Sequence, residues 1–357
     1  MRDARPDLRL AGLGGPLMAR AGVRIVADTV SHAGMGFVNT ISHLGEWTGA
    51  FRQAVAEFNR ETPDVFVPID NPGFNLRLAR LARRRGIPVC YYVSPQVWAW
   101  LPGRIRRIAR LVTRMMVLLP FEKPLYDELG VDCHYVGHPV LDYQSATPID
   151  EEFVTALGGP DGPAVGLLPG SRSQEVLHTF PIICDAACRI RERRPETVFH
   201  VAAASRDDIP EIRAALRQRG LDAQVHMGRT ADIMKGSRLC LTVSGTATLE
   251  TAYYRTAMVV VYRTSRWARL PARYLLRVPH ICLVNIIAGR EVVPEFLKFD
   301  DDAAPVAEAA MRLLADDRAR EQCRAGLDEV MRALGPSGSC ARAAAAVLDC
   351  MEQPWTS

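Results

Sequence analysis

The sequence predicts an α/β protein built from two Rossmann-like, doubly wound domains, and three observations carry that expectation. The chain has 357 residues, too many for one ordinary domain and enough for two that each bury a core. Short apolar runs rich in branched residues alternate with helical patterns almost throughout, as in parallel sheets covered by helices on both faces. Glycines and prolines in Gly158-Gly-Pro-Asp-Gly-Pro163 interrupt both periodicities just before a fresh strand. The expected division is therefore 1–160, 161–330 and a helical tail over 331–357.

The runs that predict strands are Leu8–Leu13, Val65–Ile69, Val89–Val93, Met115–Leu119, Ala164–Leu168, Val198–Ala202, Leu239–Val243 and Met258–Tyr262. Helical periodicity predicts helices between them, among them Leu76–Arg85, Glu175–Arg193 and Thr246–Arg255. The Ala-rich stretch Arg324–Ala346 reads as terminal helices, and a final helix of this kind can cross back to the first domain.

Composition narrows the class. Hydrophobic residues make up 48% and charged residues 24%, the balance of a soluble globular protein. The longest apolar stretches, Met115–Phe121 and Ala257–Tyr262, fall well short of the roughly 20 residues that cross a bilayer. The start, Met1-Arg-Asp-Ala-Arg-Pro-Asp7, lacks a secretory core and carries acidic residues that a transit peptide avoids, so a cytoplasmic location is expected. Nine cysteines lack metal-type spacing, and Cys184 and Cys188 lie one helical turn apart; buried thiols are expected, and no metal site. The net charge of +4 is modest, with only three lysines among 44 basic residues, so bulk charge points to no nucleic-acid partner.

Chemistry-bearing residues gather where strands run into helices. Strand Val165–Leu168 leads through Pro169 to Gly170-Ser171-Arg172-Ser173-Gln174-Glu175. Small residues there let backbone N–H groups approach a phosphate, the helix start adds positive potential, and Arg172 supplies a charge. The same segment is equally an ordinary turn with a solvated arginine. A second strand opens into Ser244-Gly245-Thr246-Ala247-Thr248-Leu249-Glu250, where hydroxyls and glycine suit a diphosphate and Glu250 suits ribose hydroxyls. Taken alone, its Ser/Thr-x-x-Glu pattern is a capping box. In Val284-Asn285-Ile-Ile-Ala-Gly289-Arg290-Glu291, Asn285 can bond a sugar or phosphate and Arg290 can meet a departing diphosphate.

The first domain places Asp70, the only carboxylate of its turn, with Asn75 in Ile69-Asp-Asn-Pro-Gly-Phe-Asn75. Ser94, Trp98 and Trp100 follow the next strand, and Glu122 and His138 follow later ones. If the sheet is parallel, all of them lie at its carboxyl edge, where open α/β sheets bind ligands. His138 read singly is also a structural histidine.

Together with Gly12-Leu-Gly-Gly-Pro-Leu-Met18, Leu168-Pro-Gly-Ser-Arg172 and Val136-Gly-His-Pro139, these segments resemble the lipid-A-disaccharide synthases across most of the chain. The resemblance implies a glycosyltransferase with two facing Rossmann-like domains of the GT-B type and no metal or cofactor. It implies a UDP-2,3-diacylglucosamine donor on Gly170, Ser171, Arg172, Glu175, Ser244, Gly245, Thr246, Glu250, Asn285, Arg290 and Glu291. An acylated glucosamine 1-phosphate acceptor would meet the first domain, through Asn75, Ser94, Trp98, Trp100, Glu122 and His138. The product would be a β-1,6-linked disaccharide, formed with inversion as UDP leaves.

Three departures from the family pattern stand out. The usual Gly-Glu-x-Ser-Gly-Asp segment and its strand are absent, which predicts a start codon further upstream. The family's Pro-Asp-Phe-Asn carries its leading candidate for the general base, and here that position is Gly73, so Asp70 is the expected substitute. Gly36-Phe37-Val38-Asn39 replaces another carboxylate with an amide. These changes leave open a catalytically impaired relative that binds a UDP-sugar or lipid, or another UDP-sugar enzyme of the same fold.

Acylated substrates require a route to the bilayer, so peripheral association with an anionic inner-membrane surface is expected. Two stretches suit it: Arg104–Met116, and Arg263–Arg277, in which Arg266, Trp267, Arg269 and Leu270 combine charge with apolar bulk. Both also read as solvated amphipathic helices.

Overall fold

The computed structural model describes residues 1–29, 44–99, 102–158, 163–263, 279–298, 300 and 302–352. The chain divides into two compact units, one of Met1–His138 with Gly338–Ser357 and one of Pro139–Ser337. Both are α/β, and every strand pairing among the described residues is parallel.

The first unit opens with β1 (Ala11–Gly14), α1 (Pro16–Arg20) and β2 (Arg24–Asp28), a parallel pair and its crossover. Next come α2 (Leu44–Arg60) and α3 (Pro72–Arg84). In α2, Ala50, Ala54 and Phe58 recur every fourth residue and are buried, which is why this segment lies on the unit as an amphipathic helix. The strands β3 (Cys90–Tyr92), β4 (Arg114–Val117) and β5 (Asp132–Tyr135) form a second sheet, with α4 (Ile105–Ala109) and α5 (Glu122–Asp127) between them. The predicted strand Val65–Ile69 contributes only the bridges Phe66 to Val89 and Ile69 to Tyr92. Pro68 has no N–H to donate, so this edge cannot form a full ladder.

Side chains alternate across that sheet. Val89, Tyr91, Met115 and Val117 point into one core layer, with Ala79, Ala82, Ile108 and Tyr126 from the helices. Cys90 and Met116 point to the opposite layer. A strand buried on both faces reads as an unbroken apolar run, which is how these strands were visible in the sequence.

The second unit starts with α6 (Pro139–Ala146) and α7 (Glu151–Ala156). Then follow β6 (Ala164–Leu168), α8 (Ser173–His178), α9 (Phe180–Arg193), β7 (Val198–Ala203), α10 (Ile209–Arg219) and β8 (Gln224–Met227). After α11 (Thr230–Gly236) come β9 (Leu239–Val243), α12 (Thr246–Tyr253), β10 (Met258–Arg263), α13 (Leu283–Ala288) and β11 (Glu295–Lys298). The helices α14 (Ala304–Ala315) and α15 (Asp317–Leu334) complete it. The six strands lie in the order β11-β10-β9-β6-β7-β8. From β6 the chain winds outward to β8, then returns to lay β9 on the other side of β6 and winds outward again. The expected single helix Glu175–Arg193 is broken at Thr179, because Pro181 cannot donate within a helix and fits only in a first turn.

The last helix, α16 (Ser339–Glu352), belongs to the first unit. It covers the second core layer with Ala346, Val347 and Cys350. Arg114, buried on β4, donates to Ala346 O at 2.7 Å and pairs with Asp132 and Asp349 at 2.6 Å each.

The division expected at residue 160 is corrected to 138/139. The segment before the Gly/Pro break already belongs to the second unit: Asp150 caps α7 through Phe153 N, pairs with Arg229 at 2.6 Å, and donates from its own N–H to Asp232. The break thus falls within one unit, and its residues 159–162 lie outside the described ones. Likewise the tail expected from 331 begins at 338, because α15 stays with the second unit. Of the nine cysteines, seven are buried as expected, whereas Cys188 is half-buried and Cys340 exposed.

Candidate functional site

In the second unit β6 and β9 are adjacent but their connections wind in opposite directions, so the switch point of the sheet lies between their carboxyl ends. The two loops singled out in the sequence leave those two ends. After β6, Gly170 adopts φ +98°, and a Cβ there would overlap the Glu175 carboxylate and stand 2.9 Å from Val243; the turn needs glycine. Glu175, mostly buried, accepts from Arg172 Nη1 at 2.8 Å and from the Arg172 N–H at 3.3 Å. It braces Arg172, whose side chain is 78% exposed, and its oxygens are thereby engaged by protein donors. Ser171 is exposed beside it.

After β9, Thr246 is exposed at the start of α12, and Gly245 has open space around its Cα. The Ser244 hydroxyl donates to Ile281 O at 3.1 Å, so in this arrangement it has no proton to offer a phosphate. Glu250, one turn into α12, is half-buried and accepts no hydrogen bond from a described residue; burial raises its carboxyl above the usual range.

Two residues named in the sequence take other work. Asn285 is fully buried: Oδ1 accepts from Val292 N at 2.7 Å and Val293 N at 3.0 Å, and Nδ2 donates to Val293 O at 2.9 Å. Its amide ties α13 to the turn before β11, which corrects the expected contact with a ligand. Arg290 is half-exposed and paired with Glu329 of α15, with Glu291 exposed next to it. Sequence reading missed Glu295, a buried carboxylate that accepts from His280 Nδ1, Ile281 N and Cys282 N at 2.9, 3.1 and 2.8 Å. It fixes the turn before α13 whose Ile281 carbonyl receives the Ser244 hydroxyl. A single acid inside Val292-Val-Pro-Glu-Phe-Leu297 was the available signal.

In the first unit the parallel pairing brings Asp70, Ser94, Trp98, Glu122 and His138 to one carboxyl edge. Asp70 and Asn71 have φ of +47° and +42°, and Val93 has +67°. Such backbone is uncommon for residues with a Cβ and persists only where surroundings enforce it. Here Asn75 Nδ2 donates to Ile69 O and Asp70 O at 3.0 and 2.8 Å, and Tyr91 Oη donates to Asp70 O at 2.8 Å. The Asp70 side chain itself is exposed. Ser94 is buried against the Tyr126 hydroxyl at 2.8 Å. Glu122 is buried, accepts from Trp98 Nε1 and Leu119 N at 3.0 Å each, and is pushed up to about 7 by that burial. Burial also lowers His138 to about 4, so it is neutral at physiological pH.

Among the described residues no three His, Cys, Asp or Glu side chains are grouped to hold a metal ion. No helix among them is long and apolar enough to cross a membrane. Trp100, Arg266, Trp267, Arg269 and Leu270 lie outside the described residues, as do Gly36–Asn39.

A family model described as lipid-A-disaccharide synthetase matches residues 1–349. The chain belongs to the lipid-A-disaccharide synthetase family. The lipid-A-disaccharide synthase of Geobacter sulfurreducens is 41% identical over 345 residues, covering 96% of this chain and 90% of that one. That of Myxococcus xanthus is 36% identical over 350 residues, covering 98% and 91%. Among solved structures, the S. aureus MnaA-UDP co-structure matches with TM-score 0.64 at 13% identity, covering 97% of this chain and 98% of that one. CalG4, the calicheamicin glycosyltransferase, matches with TM-score 0.58 at 17% identity, covering 99% and 93%. These likenesses show a fold shared with glycosyltransferases.

Within the synthetase family pattern, Gly73 is the departure nearest the strained turn. It is the second residue of α3, and a Cβ built there meets nothing within 4 Å. The site therefore has room for a side chain, and the glycine is not imposed by packing.

Proposed function

We propose that this protein joins two acylated glucosamine units: it transfers the sugar of UDP-2,3-diacylglucosamine to 2,3-diacylglucosamine 1-phosphate and releases UDP. The observation that carries this reading is the exposed, braced guanidinium of Arg172 at the β6/β9 switch point, in a chain whose family model spans nearly its whole length. The second unit holds the donor, with Arg172, the start of α12 at Thr246 and the turn carrying Arg290 meeting the diphosphate charge. Glu250 accepts from the ribose hydroxyls. The first unit holds the acceptor. Asp70, exposed on its strained turn, takes the acceptor hydroxyl proton in place of the carboxylate absent at Gly73. The hydroxyl oxygen then bonds to the anomeric carbon from the face opposite UDP. The bond to the diphosphate breaks, and its electron pair leaves with UDP.

The acceptor and donor arrive from a bilayer, and we place the protein at its anionic surface. Arg77, Arg83, Arg84, Arg104, Arg106, Arg107 and Arg110 are exposed on α3, α4 and their flanks, helices that share one core layer. Flotation with anionic vesicles tests this: binding that weakens with salt is expected, and no binding refutes it.

The decisive assay supplies both lipid substrates and measures disaccharide and UDP. Product in stoichiometric pairs is expected. A folded sample that binds UDP by calorimetry but forms no disaccharide overturns transfer, and one with no UDP affinity overturns the donor site as well.

A further inference from the structure

Glu122 is 3% exposed and ionisable, yet no described lysine, arginine or histidine pairs with it. A buried carboxylate without a cation is costly, and an apolar residue would fill the same space without that cost. Its bonds show what it does. One oxygen accepts from Leu119 N and the other from Trp98 Nε1, both at 3.0 Å, so the carboxylate links the end of β4 to the indole. Phe121 meets the same ring edge to face, with centroids 5.2 Å apart at 89°. On either side of Trp98 in sequence, Val97 and Ala99 are buried, while Trp98 remains half-exposed. The indole is thus held by two contacts, the Glu122 hydrogen bond and the Phe121 ring, with part of its surface left to solvent.

The location gives that surface a use. Trp98 follows β3, and the main chain of Asp70 is bonded to the end of the same strand through Asp70 N to Tyr92 O at 3.0 Å. We propose that Trp98 is the platform on which the acceptor's sugar ring rests, and that Glu122 is the positioning residue that fixes it. This rests on the transfer reading above. A pyranose presents one face of C–H groups with hydroxyls around its rim. A flat aromatic face complements the first and leaves the rim to polar groups, the usual division in sites with few, well-placed polar contacts. A platform that can swivel would lose orientation of the reacting hydroxyl, which explains a rigid hold on the indole.

Kinetics with each substrate varied in turn test the proposal, on the full chain. Trp98→Ala is expected to raise the acceptor KM by about tenfold with the donor KM unchanged, the size expected for one lost stacking contact. Glu122→Gln keeps one of the two oxygen acceptors and is expected to raise the acceptor KM less than Glu122→Leu, which removes both and raises it several-fold. If Glu122→Leu fails to fold, Trp98→Phe, which keeps a ring and removes the N–H, takes its place with the same expectation. Equal shifts in both KM values, or none in either, overturn the proposal. So does a Gln variant as impaired as the Leu or Phe one.

A second arm uses glucosamine 1-phosphate with and without acyl chains, followed by tryptophan fluorescence in wild type and Trp98→Phe. A Trp98-dependent change with both ligands supports the sugar platform, and one confined to the acylated ligand overturns it in favour of a chain contact. Because this arm needs no turnover, a protein that forms no disaccharide loses the transfer reading while the fluorescence still decides the role of Trp98.

Discussion

The two units assemble their carboxyl edges in different ways. In the second, the groups are local: Arg172 and Glu175 are three residues apart, and the charged head they present is mostly in solvent. In the first, the bonds reach across the sheet, from Trp98 to Glu122 over 24 residues, from Ser94 to Tyr126 over 32 and from Tyr91 to Asp70 over 21. Local loops at a strand end suffice where backbone amides and one charge do the recognising. An edge that must hold strained backbone and a buried acid needs partners from several strands. Mutations should therefore act on chemistry in the second unit's loops, and on both chemistry and stability in the first.

The largest expected effect tests the strained turn. Asp70→Asn should slow transfer by about 10²–10⁴, the range for a lost general base, and adding Gly73→Asp should recover much of that loss because the position has room for a side chain. Wild-type rates in Asp70→Asn would move the base elsewhere. Arg172→Ala should cost about 10²–10³ in kcat, as for a lost donor to developing charge, while the melting temperature barely moves because the side chain is 78% exposed. A shift in melting instead would make Arg172 a structural group and erase the contrast between units.

Asn285→Ala should lower unfolding free energy by about 2–4 kcal/mol in denaturant titrations, since it orphans the buried N–H groups of Val292 and Val293. A stability-neutral variant with lost UDP affinity would return Asn285 to the ligand.

The smallest effects separate the units by the sign of their pH dependence. The Glu122 carboxyl is raised from 4.5 to about 7. Between those values the folded chain holds a proton that the unfolded chain does not, so its contribution is full below 4.5 and is lost as pH rises through about 7. Relative to Glu122→Gln, wild type should lose roughly 3 kcal/mol across that window. His200, stacked against His226 at 3.1 Å between ring nitrogens, is lowered by burial from 6.5 to about 4. There the unfolded chain holds the extra proton, and stability is lost as pH falls from 6.5 toward 4. Urea midpoints of His200→Gln against wild type should diverge in that direction, and parallel curves would remove the contrast.

Much of this was legible because the signals were local. Ala164–Leu168 and Leu239–Val243 are strands to the residue, being central and buried on both faces, and their glycine-bearing loops named Arg172 and Thr246. The edge strands Gln224–Met227 and Glu295–Lys298 went unread because one flank of each has no strand partner among the described residues and their residues are mixed in polarity.

By itself the sequence determined the α/β class, the central strands and the helices that follow them, the switch-point loops and the family, all of which depend on periodicity and short motifs. Only the tertiary structure decided where the units divide, because the Gly/Pro run reads as a linker until α7 is seen tied to Arg229 and Asp232. It also decided which polar residues have their atoms engaged by the protein itself. Asn285, Ser244 and Glu175 carry the right atoms, but the folded backbone engages those atoms with the protein itself, from three residues away for Glu175 to 37 for Ser244, and a hydrogen bond's partner is fixed by the fold and not by the residue's name.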